Sequence, residues 1–595
     1  MTAGITPKRL EAAVLGTVLG LAAVLRLWGL EANGFGTEYY AAGVRSALQG
    51  GALLFYNSFD PAGFISLDKP PVAFWIQAIF ATVLGFGGWT IHLPQALAGV
   101  ASVALLYRLV RQPFGRTAAM IAALLLAITP IAVATDRSNN TDSWLVLFLL
   151  LAAQIALRGR GLSLVAAMAL LGVAFNVKML AALVCGPALL AGWWLAGTLD
   201  LRRRLGWMTA AGATLVVVSL SWPVAFDLTP KDKRPYAGST QGNSMLELVV
   251  VHNGFDRFVR PSIEQQRTVQ AQIQNFQAYD AVPAGPLRLA TPRLAAQFAW
   301  LLPLAALGLL VLRRRDGIHP SLALWGVWLV TYGVVYSAAG GIFHLYYLSA
   351  LAPPVAALAG IGAMKLWRRG PGWLAAGLGL CAAWQIWVAG ASLGWLSLWL
   401  GFPIVALAAG AAAVWRDKRP PAAIGGVALL ILPIAWALSP IFSPGNVMLP
   451  SASLPRWLGL DDGRGPLLSR TYAALSADPK LHAFLVAHRG TARFAVAAPT
   501  TQLLAPLIVR TGLPAMAVGG FFGHEPILTL DAFGAMVRRG EVRYVLLPGR
   551  AQPTDFTRWV RSNGIPVHDA KWRSVTIEGR RPLMLYDVRP GQSAD

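Results

Sequence analysis

Runs of about twenty apolar residues, separated by short polar stretches, fill the chain up to about position 440. A helix crossing lipid needs about 20 mostly apolar residues, because every backbone group in the bilayer must pair internally. The pattern predicts thirteen spans, at about 10–30, 90–110, 117–134, 142–158, 162–178, 179–198, 206–223, 297–312, 320–337, 346–364, 372–390, 393–415 and 422–440. Basic clusters mark every second junction: Lys8/Arg9, Arg108/Arg111/Arg116, Arg158/Arg160, Arg202/Arg203/Arg204, Arg313/Arg314/Arg315, Lys365/Arg368/Arg369 and Arg416/Lys418/Arg419. The positive-inside rule places all of them on the cytoplasmic side, with the N-terminus inside and the C-terminus outside. Residues 71–88 form one more apolar run, but counting it as a span inverts the clusters that follow. Its Pro-Pro start and its Phe74, Trp75 and Phe80 suit a helix lying on the outer membrane face.

Beyond the last run the pattern changes. Strand-like segments at 493–498 (RFAVAA), 514–520 (PAMAVGG) and 542–547 (VRYVLL) alternate with helical patterns at about 501–511 and 529–539. That alternation predicts a small parallel α/β domain. The expected organisation is therefore a polytopic α-helical membrane domain over 1–445, with outer loops 31–89, 135–141 and 224–296. An extracytoplasmic α/β domain over 446–595 follows it.

Composition narrows the classes. Apolar and aromatic residues make up 56% of the 595 positions and charged residues only 13%, which excludes a disordered chain and an ordinary soluble enzyme. The net charge of +23 would suggest nucleic acid in a soluble protein. Here the cytoplasmic flanks of the spans account for it. The two cysteines, Cys185 and Cys381, lie inside apolar runs, so no disulfide framework is expected. Neither a phosphate-binding GxxxxGK[ST] loop nor an HExxH zinc motif occurs. The N-terminal apolar segment lacks a small-residue cleavage site and is read as a span, not a removed signal.

The outer loops hold the candidate chemistry. The first carries Glu38, Asp60, Asp68 and Lys69 close to the expected membrane surface. Thr37 can cap a helix there, with Glu38 as a dipole-stabilising carboxylate or as a functional one. Lys69 precedes Pro70 and Pro71 at a helix start, a place suited to a phosphate, although a lysine there can also snorkel to water. The second loop packs Asp136, Arg137, Asn139, Asn140 and Asp142 into seven residues. A turn needs some Asn and Asp, but not an Arg and two Asp at the ends of membrane spans. Lys178 ends a span with no charged neighbour in sequence, so it either snorkels outward or meets an anion; the cost of burying it favours the anion. In the third loop Arg234, Tyr236, Ser239, Gln241 and Asn243 suit a sugar or a phosphate. His344, Tyr346 and Tyr347 stand at the outer end of a later span.

Taken in order, SFDPAGFISLDKPP, RSNNTD, NVKML, RPYAGSTQGNS, HNGFDR and FHLYYLSALAP resemble the motifs of glycosyltransferase family 39 over roughly 10–450. This is the GT-C membrane fold shared by protein O-mannosyltransferases and the lipid A aminoarabinose transferase. The likeness is to a bacterial branch with an extracytoplasmic C-terminal domain, to which VGGFFGHEPILT belongs. The resemblance implies a transferase that moves a monosaccharide from a polyprenyl-phosphate donor to a hydroxyl acceptor on the outer side of the cytoplasmic membrane. Thirteen spans and an outside C-terminus agree with that fold.

Carried over residue by residue, the resemblance makes Glu38 the general base, with Thr37 where the family often has a first carboxylate. Asp142 matches the acidic position of the second loop; the change at Thr37 leaves either Asp60 or Asp68 to assist, and Asp68 is placed with the catalytic residues. Lys69 matches the lipid-phosphate contact, joined by Arg137 and Lys178. Asp60, Asn140, Arg234, Tyr236, His344, Tyr346 and Tyr347 fall to substrate binding. Some GT-C enzymes hold a divalent metal on the phosphate; here three cations can supply that charge, so no metal is expected to be obligatory. An inverting single displacement follows. The rival reading is a flippase or transporter for a lipid-linked sugar. The C-terminal domain shows no catalytic constellation, and His524 and Glu525 read as a polar loop after a strand.

Overall fold

The computed structural model describes residues 7–259, 282–310, 319–341, 343–393, 399–442, 449–454, 476–521, 523–549, 554–574 and 583–589. The basic cluster at 313–315 lies outside the described residues. The chain forms two compact units.

The first unit takes Met1–Gly34, His92–Leu220 and Tyr279–Gly463 and is helical. Among the described residues, eight helices are long and apolar enough to cross a membrane, and ten if two bent pairs each count as one span. The pairs are Arg116–Ala127 with Pro130–Asp136, bent by 58°, and Pro292–Phe298 with Leu302–Leu310, bent by 73°. Pro130 begins one second member, and Pro303 is the second residue of the other. Proline drives the residue before it out of helical geometry and removes a backbone donor, so the chain turns there. Asp142–Ala156, Leu180–Ala196 and Gly401–Trp415 stand where three further spans are expected, but they are shorter apolar helices of 10–17 residues. At about 1.5 Å per residue, the 15 residues of Asp142–Ala156 reach about 22 Å, less than the roughly 30 Å of hydrocarbon.

The second unit takes Phe35–Ile91, Ser221–Ala278 and Arg464–Asp595. The first and third loops thus belong with the C-terminal domain in one compact body, where the sequence suggested a division near 445. Val72–Leu84 is a helix of 13 residues, too short to span, as the charge pattern required. Helix Glu38–Ala47 packs on helix Thr501–Thr511. Tyr39, Tyr40 and Val44 share a core with Leu504, Leu507 and Ile508, and Phe59, Ile65, Leu67 and Phe74 join it.

The sheet has five strands: β1 Val496–Ala498, β2 Ala515–Ala517, β3 Tyr544–Pro548, β4 Ile565–Pro566 and β5 Leu583–Asp587, in the order β2-β1-β3-β5-β4. β1 pairs in parallel with β2 and with β3, as the alternation predicts. The sheet is nevertheless mixed, because β5 runs antiparallel to β3 and β4 antiparallel to β5. Alternate strand residues feed opposite faces. Val496, Ala498 and Leu546 meet helix Thr501–Thr511, while Ala497, Val545 and Leu547 meet Phe533 and Val537 of helix Leu530–Arg538.

Candidate active site

The expected site residues gather into two clusters, one in each unit. In the first unit Lys178, the last residue of helix Gly161–Lys178, forms an ion pair with Asp142, the first residue of helix Asp142–Ala156. Both side chains are buried, 8% and 1% exposed. The ammonium also lies over the rings of Tyr347 at 4.3 Å and Tyr346 at 4.8 Å, and His344 stacks on Tyr346. Ser349 Oγ reaches Asp142 Oδ1 at 3.4 Å. The anion that Lys178 needs is thus the chain's own carboxylate. A lysine at a helix C-terminus and an aspartate at a helix N-terminus each also match the local helix dipole.

A second buried pair lies in the same unit. Arg26 Nε donates to Asp136 Oδ2 at 2.8 Å, and Arg26 Nη1 reaches the carbonyls of Ala127 and Ala22. Gly99 backs this pair: a Cβ at position 99 would lie 2.1 Å from Asp136 Oδ2 and 2.6 Å from Arg26 Nε. A small cavity beside it, lined by Arg26, Gly99, Ser102, Asp136, Ser143 and Ser349, has room for about one water. The sequence reading missed Arg26, although an arginine inside the first apolar run was a visible signal.

Arg137 is a correction. Expected on the donor phosphate, it is 1% exposed, and its guanidinium donates to the carbonyls of Leu25, Arg26, Trp28 and Gly29. The last carbonyls of a helix lack intrahelical donors, and Arg137 supplies them for the end of helix Pro7–Leu27. Its own carbonyl accepts from Asn33 Nδ2 at 2.6 Å. Asn140 differs. Its Oδ1 accepts from the Thr141 amide at 2.7 Å, and its buried Nδ2 has no hydrogen-bond partner among the described residues.

In the second unit Lys69 Nζ donates to Asp68 Oδ2 at 2.6 Å. Burial pushes the Asp68 carboxyl up, but the Lys69 charge and hydrogen bond outweigh it and hold the group below its ordinary value. The Asp68 amide donates to Tyr39 Oη at 3.1 Å, and Asn57 Nδ2 donates to the Lys69 carbonyl at 2.9 Å. His252 is close enough for it and Asp68 to influence each other's titration. Burial first, and then Arg257 and Lys69, push its imidazole down to about 3, so it is neutral at ordinary pH.

Asp60, expected at the substrate, organises the first loop instead. Its carboxylate accepts from the amides of Ala62, Phe64 and Ile65 at 2.9, 3.0 and 3.2 Å, closing a turn of the kind aspartate favours. Burial still pushes it up to about 7, against those three donors. Arg234 and Tyr236 serve the third loop. Arg234 donates to Thr229 O, Asn243 Oδ1 and Asn243 O, and Tyr236 Oη to the carbonyls of Thr240 and Gln241. This loop joins the first: the Ser66 amide donates to Tyr236 O at 2.8 Å and the Tyr236 amide to Phe64 O at 3.0 Å.

Thr37 stands at the N-cap of helix Glu38–Ala47 without a capping side-chain hydrogen bond. Glu38 pairs through Oε1 with Arg510 at 2.8 Å and is 23% exposed. Arg510 comes from helix Thr501–Thr511, a partner that the first loop alone could not reveal. Among the described residues no three His, Cys, Asp or Glu side chains are grouped to hold a metal ion.

With this geometry in hand, the comparisons are specific. Residues 68–222 match the family model of dolichyl-phosphate-mannose-protein mannosyltransferases. Residues 481–563 match the model described as "Putative mannosyltransferase YkcB-like, C-terminal". Two mannosyltransferase-like proteins of Bacillus subtilis (strain 168) align over almost their full lengths. YycA is 32% identical over 94% of both chains, and YkcB is 33% identical over 94% of this chain and 92% of its own. The crystal structure of ArnT from Cupriavidus metallidurans bound to undecaprenyl phosphate superposes with a TM-score of 0.56 at 17% identity, covering 97% of each chain. The apo form of that protein gives 0.53. Motifs, relatives over the whole length and fold agree: the chain belongs to glycosyltransferase family 39, in the branch of YycA and YkcB, and is a multi-span membrane glycosyltransferase of the GT-C fold, mannosyltransferase-like.

Proposed function

We propose that the protein transfers a monosaccharide from a polyprenyl-phosphate donor to a hydroxyl acceptor at the outer face of the cytoplasmic membrane. The observation that carries this reading is the buried Lys178, held by Asp142 and two tyrosine rings at the end of a membrane helix. The pair is satisfied within the chain, yet it also holds a cation fixed in a dry place, which is what a phosphate leaving a sugar needs. The YycA and YkcB relationship and the undecaprenyl phosphate named with the ArnT structure support the donor class.

The step is one displacement. The acceptor oxygen forms a bond to the anomeric carbon, and the bond from that carbon to the phosphate oxygen breaks. The electron pair leaves with the polyprenyl phosphate, and the configuration inverts. Glu38 takes the acceptor proton on the oxygen not engaged by Arg510. The charge on the departing phosphate falls to Lys178, oriented by Asp142, or to Lys69, oriented by Asp68. The Asn140 amide is offered to a sugar hydroxyl. Asp60, Arg234, Tyr236 and Arg137 hold the loops that present these groups.

The test uses the full chain in nanodiscs with a panel of radiolabelled polyprenyl-phosphate sugars and an envelope extract as acceptor. Label passing to a non-donor product with wild type, and at least about a hundredfold more slowly with Glu38→Gln, is expected. Donor binding with no transfer by either protein would reject the transferase reading in favour of a flippase. Equal transfer by wild type, Glu38→Gln and Lys69→Ala would remove both residues from the mechanism.

A further inference from the structure

In open α/β sheets, ligands bind outside the carboxyl ends of strands where the chain order reverses. Here that place lies at β1, which has β2 on one side and β3 on the other. The loop leaving β2 reads GGFFGHE over 519–525, and it is fastened to the end of β1. The Val518 and Gly519 amides donate to Ala498 O and Pro499 O, and the Thr501 amide donates to Gly520 O at 2.9 Å. Glu525 folds back over this loop. Its Oε1 accepts from the Phe521 amide at 2.7 Å, and it is 5% exposed. Gly520 has φ +70°, and a Cβ there would lie 2.1 Å from Glu525 Oε2, so glycine makes room for the carboxylate.

The free end of this arrangement grips the transferase loops of the same unit. Glu525 Oε2 accepts from the Ser239 amide at 2.9 Å. Ser239 has φ +62°, a left-handed conformation that a serine holds only where its surroundings enforce it. The neighbouring Gly238 amide donates to Ser66 Oγ at 3.1 Å, which ties the strained turn to the segment that leads into Asp68 and Lys69. The second grip is aromatic. Phe521 meets Tyr39 edge to face with ring centroids 4.9 Å apart, and Tyr39 Oη accepts from the Asp68 amide. Two independent routes thus run from one loop of the α/β domain to the Asp68–Lys69 pair.

We propose that the C-terminal domain is a working part of the transferase, and that Glu525 and Phe521 are positioning residues that set Lys69 for the donor phosphate. This rests on the assignment of Lys69 given above. Where related sheets bind a ligand, this one binds the loops of its own chain's active site.

The experiment compares wild type, Glu525→Ala, Glu525→Gln, Phe521→Leu and Lys69→Ala, all full length in nanodiscs. Binding of undecaprenyl phosphate and hydrogen exchange of 62–69 and 236–243 are measured together with the thermal unfolding midpoint. Glu525→Ala is expected to raise exchange in both segments and to weaken binding about tenfold or more, through loss of a charge-assisted hydrogen bond. Glu525→Gln keeps only one of the two acceptor oxygens and sets an NH2 against the other amide donor, so it should recover exchange and binding only in part. Phe521→Leu should raise exchange at 62–69 but not at 236–243. Unchanged exchange and binding in Glu525→Ala and Phe521→Leu would overturn the proposal. So would a fall in binding matched by unfolding of the whole domain and not rescued by Gln. If Lys69→Ala binds undecaprenyl phosphate as well as wild type, the assignment of Lys69 fails, even where the exchange results still show the coupling.

Discussion

The buried pair of Lys178 and Asp142 gives the sharpest test of whether these charges work on a substrate or merely on each other. Replacing Lys178 by Met removes the cation that faces the Asp142 carboxylate, which is 1% exposed and has Ser349 Oγ at 3.4 Å. Breaking one side of a desolvated pair costs about 3–5 kcal/mol, because the surviving charge is left uncompensated. Loss of the two ring contacts adds roughly 1 kcal/mol. Asp142→Asn strands the lysine in the same way, less severely because the amide oxygen still accepts. The double variant Asp142→Asn, Lys178→Met has no stranded charge. It should recover at least about 2 kcal/mol over the sum of the two single losses. Unfolding in mixed micelles, followed by tryptophan fluorescence, measures all four corners of the cycle. Transfer from the labelled donor is measured on the same samples. The expected result is a double variant that is stable and inactive. Additive single losses below about 0.5 kcal/mol would show that the pair is not desolvated and refute the stability argument. Recovery of transfer by the double variant would show that the charges act only on folding.

Three further expectations follow from the geometry. Gly99→Ala would drive a methyl into the Arg26–Asp136 pair, costing about 2 kcal/mol or more, whereas Gly16→Ala, with open space around its Cβ, should cost nothing measurable; thermal midpoints in detergent compare them. Arg137→Met should free the end of the first helix and lower stability by about 2–4 kcal/mol while leaving the donor KM of the surviving folded enzyme within about threefold, and a donor KM raised tenfold would return Arg137 to the phosphate. Asp60 is raised in the fold to about 7, above the roughly 3.9 of an unfolded aspartate, so its protonated form is the one the fold favours. The stability it contributes is therefore complete below about pH 4, is lost as pH rises towards 7 and stays flat above; the wild-type unfolding midpoint should fall over that window relative to Asp60→Asn, and parallel curves for the two proteins would refute it.

What the sequence carried and what it did not divides along a physical line. Hydrophobic period and charge flanks are local, so the apolar helices, the short helix at Val72–Leu84 and the strands at 496–498, 515–517 and 544–548 could all be read from neighbouring positions. The chemistry depends on distant partners. Asp142 and Lys178 are 36 positions apart, Arg26 and Asp136 are 110, and Ser239 and Glu525 are 286. No periodicity records such pairs. Arg137 and Asp60 stand out as ionisable groups at costly positions, yet their partners are backbone carbonyls and amides that every sequence possesses. Glu525 reads as an ordinary loop residue because its local setting is ordinary. The antiparallel strands β4 and β5 escaped because β4 has two residues and β5 is reached only through the last segment of the chain.

The first loop's core is completed by residues made very late. Glu38 and its partner Arg510 are separated by 472 positions, and Tyr40 shares a core with Ile508. At about 5–20 residues per second, synthesis separates their appearance by roughly 25 to 95 seconds. During that interval Tyr39, Tyr40 and Val44 have no Leu504, Leu507 or Ile508 to pack on. A ribosome that stalls or a transcript that is cut short therefore leaves a membrane protein with this apolar face uncovered. Chaperones or proteases would meet this intermediate before they ever met the mature protein.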